Sequence, residues 1–520
     1  MRVLVISFFN SWITHLGTEL EIAQRHLDNG DDVEFLGCDG CIEICDGNPW
    51  EYKPLCTACR EKRHNGLQLL TPVPKQHSLG SYVSREMFSE EASHETVSDL
   101  ESAKNFRHNG HDLGWGAVSS TIMQVRDPEC RSAEAAEKLR KFSKSALLSY
   151  NCVAAFLREQ PQFDRVYLFN GRFAPIRGAW RACQEFADVD IQIHERGSTQ
   201  LKYELFGNSL PHSRTLWANR IQDAWKNASE VKERESIGGL FYEERRAGEG
   251  SMWKSYTSAQ LQGKLPANWD ASRTNVAIFN SSEDEFAGIG DEWKNPVYDR
   301  QSLGIARIVS ECVDRYPNMH LYLRVHPNLT NVENADLTTL LNLESPNLTI
   351  IAPDSDVSTY ALLDSCDKVL GFGTTVGIEA TYWKKVSILA GHTFYDQLEA
   401  VHVATDHNHL MSLLGEDLEP CDKQNAIKYG YYLRTYGLPF KYWEPDGFEA
   451  GTYRGYPISE THLHPLKLKL ILWLQDRGMD TRRFSLFLSI VDLPIRLIQA
   501  TSDGFGRIKS LIQPTATESS

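Results

Sequence analysis

No stretch of this chain approaches the ~20 consecutive apolar residues that a membrane-spanning helix needs, so integral membrane classes are set aside. Positive charge is scarce as well: 54 Lys and Arg face 69 Asp and Glu, a net charge of −15. That balance argues against general nucleic-acid binding, which requires basic surface. The opening residues MRVLVISFF carry a single Arg, too few apolar positions and no small-residue cleavage site, and so predict a first strand rather than a secretory signal. Internal repeats and long low-complexity tracts are missing too. Together these absences predict a cytoplasmic protein whose eleven cysteines are thiols or metal ligands.

What is present is the composition of a globular enzyme, 41% apolar and 24% charged. At 520 residues the chain is too long for one ordinary core, and two domains plus an appendage are expected. The apolar strand Arg2–Phe8 is followed by Leu16, Leu20, Ala23 and Leu27 at helical spacing, then by a second strand at Asp32–Leu36. After a long polar excursion come a helix at Ala133–Gln160, a strand at Arg165–Asn170, a helix at Ala174–Phe186 and a strand at Val189–His194. A helical, charged stretch Arg214–Arg246 leads to a turn-rich connection near Gly248–Asp270. The alternation restarts at Asn275–Asn280 and continues through Tyr298–Tyr316, His320–Arg324, Leu337–Leu343, Leu348–Ile351, Tyr360–Cys366 and Val386–Leu389. Alternating strand and helix predicts parallel sheets wrapped by helices. The fold class is therefore α/β: two Rossmann-like doubly wound domains, residues 1–262 and 270–430, facing a cleft, with a helical tail over 431–520.

Two strand ends carry phosphate-binding chemistry. HLYLRVHPN stops being strand-like at His326-Pro327, because Pro327 cannot donate a ladder hydrogen bond. KVLGFGTTVGIEATYW passes through Gly371 and Gly373 into Thr374-Thr375, and a helical run with Glu379 follows. Glycines allow close backbone approach, and hydroxyls with free N–H groups favour an anion. His326 can donate to a phosphate oxygen. Ser281 and Ser282, on the first loop of the second domain, are further phosphate candidates, although turn serines are common in their own right. Such an arrangement looks like the donor half of a nucleotide-sugar enzyme.

The same pieces, RVHP at Arg324–Pro327, PDSDVSTYALLDSCDKVLGF and TTVGIEATYWKKVSIL from Thr374 to Leu389, resemble the capsule polysaccharide synthesis family. These are GT-B-type glycosyltransferases related to bacterial Kdo transferases. The resemblance spans roughly Asn275–Leu414. It implies that His326-Pro327 and the Thr374-Thr375 loop hold the CMP part of a donor. Thr374-Thr375 stands where relatives often carry Ser-Thr. By the same resemblance Glu379 accepts hydrogen bonds from ribose hydroxyls; a solvated helix carboxylate is the plain alternative. The activity implied is metal-independent transfer of a sugar to a growing surface polysaccharide or lipid-linked glycan. A CMP-activated acidic sugar is favoured over UDP- or GDP-sugar. A CDP-polyol phosphate transferase, a UDP-sugar 2-epimerase and a non-catalytic scaffold of an export complex are the rival readings.

The first domain is expected to bind the acceptor and supply a catalytic carboxylate. Glu195, in IHERGST, ends an apolar strand. Its place resembles the acidic-Gly motif of Kdo and sialyl transferases, with Arg196 in place of one acidic residue. A Glu195–Arg196 ion pair of structural use is the alternative. His15 is the second base candidate, and a surface loop histidine its plain reading. Asn170 and Arg172 end another strand at the same edge, where Arg172 suits bidentate recognition of an acidic sugar or phosphate.

Cys38-x2-Cys41 and Cys56-x2-Cys59 are two knuckle pairs fourteen residues apart, with Cys45 between them. They form a Cys-rich insertion over 38–59. Four thiolates at such spacing suit tetrahedral zinc, which would be structural because no position is left for water. An iron–sulfur cluster and unligated thiols stay open. The tail from Leu466 to Ile498 mixes Leu, Ile, Phe and Trp473 with Lys467, Lys469, Arg477, Arg482, Arg483 and Arg496. It reads as helices packing back on the first domain, or as a peripheral contact with an anionic membrane. Gln513–Ser520 is expected to be disordered.

Overall fold

A computed structural model describes residues 1–458 apart from 85, 86, 88–96, 229, 250–259, 331, 333 and 448. Its first sheet has seven strands. In spatial order they are Leu438–Pro439, Lys202–Gly207, Asp190–Arg196, Arg165–Phe169, Arg2–Ser7, Asp32–Gly37 and Lys75–Ser78. The five from Asp190–Arg196 to Lys75–Ser78 pair in parallel; the other two close the edge antiparallel. Val3, Leu4, Val5 and Ile6 are all fully buried, since helices cover both faces of the sheet and both side-chain rows must be apolar.

The second sheet is wholly parallel: Leu348–Ile351, Met319–Arg324, Thr274–Phe279, Lys368–Gly371, Val386–Leu389 and His402–Val403. Counted along the chain, its strands lie in the order 3-2-1-4-5-6. This is the doubly wound order in which ligands bind outside the carboxyl ends, where strands 1 and 4 part. The fold is thus two Rossmann-like domains facing a cleft.

Local chemistry sets the helix ends. Ser132 accepts the Ala135 N–H at 3.0 Å to start the helix Ala133–Glu159, and Ser358 does the same for Ala361 at the head of Thr359–Ser365. Inside the polar excursion, Gly114–Val125 is a helix buried over nine consecutive residues from Gly114 to Ile122. It carries no polar stripe from which a helical period can be read.

The helices Arg214–Asn227 and Val231–Ala247 share a core with the second domain: Trp217, Ile221, Phe241 and Tyr242 pack with Ile378, Tyr382, Tyr395 and Tyr429. Helix Val231–Ala247 meets helix Lys423–Thr435 at glycines. A Cβ on Gly238 would lie 2.4 Å from the Ile427 carbonyl oxygen, and one on Gly430 2.3 Å from that of Gly238. The chain then returns to the first domain. Leu438–Pro439 joins the first sheet, and a three-stranded sheet of Trp443–Asp446, Ala450–Tyr453 and Tyr456–Pro457 packs on the helix Ile13–Asp28. The buried Glu21 anchors this return by accepting the main-chain N–H groups of Lys441, Tyr442 and Trp443 at 2.9, 2.7 and 3.1 Å.

The described residues of 438–457 are thus short strands joined by turns, not the helix expected for this part of the tail. Pro439, Pro445, Pro457 and the positive-φ glycines 437, 447 and 455 interrupt any helix there. The basic apolar stretch Leu466–Ile498 and the terminus Gln513–Ser520 lie outside the described residues. No helix among the described residues is long and apolar enough to cross a membrane.

Gly238→Ala is expected to cost about 1–3 kcal/mol, because the added methyl meets a main-chain carbonyl that cannot rotate away. A lowered midpoint of urea unfolding at unchanged slope is the check; a wild-type midpoint would show that the helices have room at this crossing.

Candidate functional site

At the point where Thr274–Phe279 and Lys368–Gly371 part, three loops are stitched together. The buried Asn280 side chain accepts the His326 N–H at 2.9 Å and donates to the Ser281 carbonyl at 3.0 Å. Gln301 accepts the Ser281 N–H at 3.1 Å and donates to its hydroxyl at 2.7 Å. Phe372 N–H bonds Phe279 O at 2.9 Å, which brings Gly373 against Ser281. At Gly373 φ is +64°, and a Cβ would stand 2.9 Å from Ser281 Oγ, so glycine is required on both counts.

His326 caps the turn Pro327–Leu329: its Nδ1 accepts the Asn328 N–H at 3.1 Å, which leaves the imidazole proton on Nε2 as a donor. Burial, with Arg324 nearby, pushes its pKa down to about 4. At neutral pH the ring is therefore uncharged. Thr374 Oγ1 accepts the Val376 N–H at 3.3 Å, and its carbonyl takes the Tyr395 hydroxyl. The helix that follows, Val376–Tyr382, has only seven residues, so hydroxyls and loop amides supply the polarity here.

Glu379 is 2% exposed, not the solvated helix carboxylate of the plain alternative. Its Oε1 accepts Arg245 Nε at 3.1 Å and its Oε2 the Tyr360 hydroxyl at 2.6 Å. Arg245 also donates from Nη2 to Thr375 Oγ1 at 3.1 Å. Ser282 faces elsewhere: it donates to Asp284 and accepts from Arg126 at 3.1 Å, while Arg126 is ion-paired with Asp284. That cluster joins the two domains, so Ser282 is occupied by the interdomain contact.

Across the cleft, Asn170 takes the left-handed conformation, φ +57°, and donates to Glu195 Oε2 at 2.6 Å while its Oδ1 accepts the Arg172 N–H at 3.1 Å. The other Glu195 oxygen accepts the Arg196 main-chain N–H at 3.0 Å. Three of the expected acceptor-side residues are therefore gathered at adjacent strand ends. Arg172 differs from expectation in its partners: the buried guanidinium donates to Ser119 and to the Glu285 carbonyl of the second domain. His15 lies in the first turn of helix Ile13–Asp28, not on a surface loop. It rests on Phe169 with ring centres 3.7 Å apart, and burial beside His194 and Arg196 keeps it neutral.

Several groups here carried no motif. Burial, with Arg172 nearby, pushes His212 down to about 3, against the pull of Glu195. Asp46, inside the cysteine insertion, is pushed up to about 7 by burial although Ser120 donates to it at 2.9 Å. His194 is fully buried, 3.8 Å from Glu19. None of them repeats with a strand or helix period, and each becomes notable only through tertiary burial. A cavity of about 600 Å³ also opens between the domains, lined by Lys104, Trp115, Phe286, Trp293, Arg300 and Gly373 among others. His326, Thr375, Glu379 and Glu195 are not part of its lining.

Cys38, Cys41, Cys45, Cys56 and Cys59 are all half-buried free thiols, with Cys56 and Cys59 on the helix Lys53–Leu67. They share one neighbourhood: the Cys41 hydrogen bond holds Cys38 down at about 6, and Cys38, Cys56 and Cys59 all act on Cys45. Among the described residues no three His, Cys, Asp or Glu side chains stand in a metal-holding group. The helix that ends the insertion braces this edge of the first domain, with Lys62 donating to Ser11 O at 3.3 Å and Arg63 to Cys38 O at 2.8 Å.

No family model and no curated protein matches the chain. Solved structures to which it is similar include Thermosulfurimonas dismutans KpsC, a beta Kdo 2,4 transferase, at 13% identity and a TM-score of 0.34 over 52% of this chain and 87% of that one. They also include the spinosyn rhamnosyltransferase SpnG, at 13% identity and a TM-score of 0.26 over 84% and 96%. A third is a putative UDP-N-acetylglucosamine 2-epimerase from Listeria monocytogenes, at 11% identity and a TM-score of 0.22 over 86% and 93%.

Proposed function

We propose that this chain is a GT-B-type glycosyltransferase, moving a sugar from a nucleotide donor to a growing surface polysaccharide or glycolipid acceptor. A CMP-activated acidic sugar is the first choice of donor. The observation that carries the reading is the convergence of Ser281, His326 and Thr374 at the switch point of the second sheet. Facing strand ends of the first domain hold Glu195 and Asn170. Donor phosphate would be met by the Nε2–H of neutral His326 and by the hydroxyls and amides of the loop 373–375.

In this reading Glu195 is the acceptor-side carboxylate. Asn170 and the Arg196 amide each donate to one of its oxygens, which fixes the orientation in which it would take a proton from an acceptor hydroxyl. As the acceptor oxygen attacks the anomeric carbon, the bond to the donor phosphate breaks and the nucleotide leaves with the electron pair.

A thermal-shift panel of CMP, CDP, UDP and GDP with their sugar conjugates tests the donor class, because a ligand that binds only the folded state raises its stability. CMP or its conjugate is expected to give the largest shift, and His326→Ala to weaken that nucleotide about ten- to a hundredfold, the scale of a hydrogen bond to a charged group. Conversion of a nucleotide sugar without acceptor would favour the epimerase reading.

Glu195→Gln keeps the size and removes the basic oxygen. Donor binding is expected to persist while transfer falls by ~10²–10⁴-fold. Near-normal turnover would make Glu195 structural.

Cys38, Cys41, Cys56 and Cys59 are proposed to hold one structural zinc, supported by the two Cys-x2-Cys pairs and by the donor set, which is soft and all-thiol. Metal analysis after gel filtration is expected to find about one zinc per chain, lost in Cys56→Ser. A metal-free, folded and active preparation rules the site out.

A further inference from the structure

The residues assigned to the donor phosphate on sequence grounds are all uncharged. Ser281, Thr374 and Thr375 offer hydroxyls, and buried His326 is neutral near pH 7. The two arginines that act on His326 are committed elsewhere. Arg324 donates to the carbonyls of Ala352 and Ser355 at 2.9 and 3.1 Å, and Arg126 is ion-paired with Asp284. A nucleotide phosphate enclosed by neutral donors alone would be a poorly compensated charge.

One cation does reach the loop, and it comes from outside the sheet. Arg245 ends the helix Val231–Ala247, which sequence order assigns to the first domain and packing joins to the second. Its side chain is 13% exposed, and it bridges Thr375 Oγ1, 3.1 Å from Nη2, and Glu379 Oε1, 3.1 Å from Nε and 3.0 Å from Nη2. The helix that aims it is fixed on several sides. Arg246 pairs with Asp364, Tyr382 donates to Glu243 at 3.0 Å, Tyr242 donates to the Ala426 carbonyl at 2.6 Å, and Gly238 seats the helix on Lys423–Thr435.

We propose that Arg245 is the phosphate-binding cation of the donor site, taking a phosphate oxygen of the nucleotide in exchange for its bond to Thr375. This rests on the donor-site reading above and adds a residue to it. The exchange follows from bond strengths: Thr375 Oγ is a neutral acceptor, whereas a phosphate oxygen forms a charge-assisted bond roughly twice as strong. The contact through Nε keeps the guanidinium plane on Glu379 while Nη2, now shared by Thr375 and Glu379, exchanges Thr375 for the phosphate, and a planar fork suits phosphate geometry. Glu379 offsets part of the positive charge and repels the incoming phosphate, which moderates affinity and favours release of the spent nucleotide. Tyr360, on the second Glu379 oxygen, holds the carboxylate in place during the exchange.

The test separates phosphate recognition from folding and from recognition of base and ribose. Arg245→Gln alone leaves Glu379 buried without its cation, which endangers the fold. The neutral pair Arg245→Gln with Glu379→Gln is therefore compared with Glu379→Gln alone and with wild type. Binding of CMP and of cytidine is measured for each by calorimetry, with UDP and uridine as a second pair. The expected result is a phosphate preference, the CMP-to-cytidine affinity ratio, that is kept in Glu379→Gln and falls about 10- to 100-fold in the double variant. Arg245→Lys is expected to recover part of it. An unchanged ratio in a folded double variant overturns the role of Arg245 and leaves the donor site standing. If wild type binds none of the four probes, the donor-site reading fails, and this inference fails with it.

Discussion

Parallel strand pairing is the constraint on which the rest of this molecule depends. A parallel strand must be re-entered from the same end, so every loop that follows a strand opens on one edge of the sheet. In both domains the first strand of the chain is central and the fourth pairs beside it: Arg2–Ser7 with Arg165–Phe169, and Thr274–Phe279 with Lys368–Gly371. The two loops at each such junction leave in opposite directions and open a crevice between them. Residues more than ninety positions apart, Asn10 and Asn170 in one sheet or Asn280 and Gly373 in the other, are brought to one edge by register alone. The polar side chains there supply the particular chemistry, while the hydrophobic strands Val3–Ile6 and Val276–Phe279 hold them in place.

The charges follow a second pattern. Single buried ionisable groups at the candidate site are neutral at pH 7, as His15, His212 and His326 are, since burial disfavours the charged form. Charges that stay are shared across contacts between distant parts of the chain: Arg126 with Asp284, Arg214 with Asp396, Arg300 with Glu129, and Arg245 with Glu379. Buried pairs of this kind are weak evidence for net stability, because desolvation offsets much of the attraction. Their effect is better seen as geometric. Losing one partner strands the other, so each pair strongly favours one placement of the loop 282–285 and of the helix 231–247.

Much of this architecture was legible in the sequence, and the exceptions share a cause. Leu348–Ile351 and Val386–Leu389 appear with the boundaries read from their apolar runs, and the helix Ala133–Glu159 ends within a residue of its expected span. Apolar period and bounding polar residues are local signals, and they suffice where one face meets solvent or both faces meet helices. Helix Gly114–Val125 escaped because it is buried nearly all round. The strands at 438–457 escaped because their pairing partners lie more than 200 residues away or in a sheet formed only by turns. His326, Ser281 and Thr374 lie together at the strand ends where the sequence placed them, which position in the chain encodes. Arg172 and Ser282 kept their place at strand ends, but their bonds bridge the domains, which chain position does not encode. Arg245 and Asp46 had no such label. One comes from a helix outside the sheet and the other from the cysteine insertion, and only tertiary packing brings them in.

That insertion shows how a peripheral element can act on a site. Residues 38–59 leave the second strand of the first sheet and fold back under the loop Phe8–Trp12, where Lys62 and Arg63 bond its carbonyls and those beside it. The loop ends in the helix carrying His15, and Asp46 within the insertion lies close enough to act on Arg172. Ahead of the helix Lys53–Leu67, residues 38–52 form no helix or strand of their own, and ordering them costs roughly 1–2 kcal/mol of backbone entropy per residue. Cross-linking by a metal removes part of that entropy from the unfolded chain, as any closure of a long loop does. Four thiolates on a single ion would therefore stiffen the strand-end edge of the first domain, while the facing edge of the second is organised by strand register and by Arg245, which reaches Thr375 from the helix Val231–Ala247.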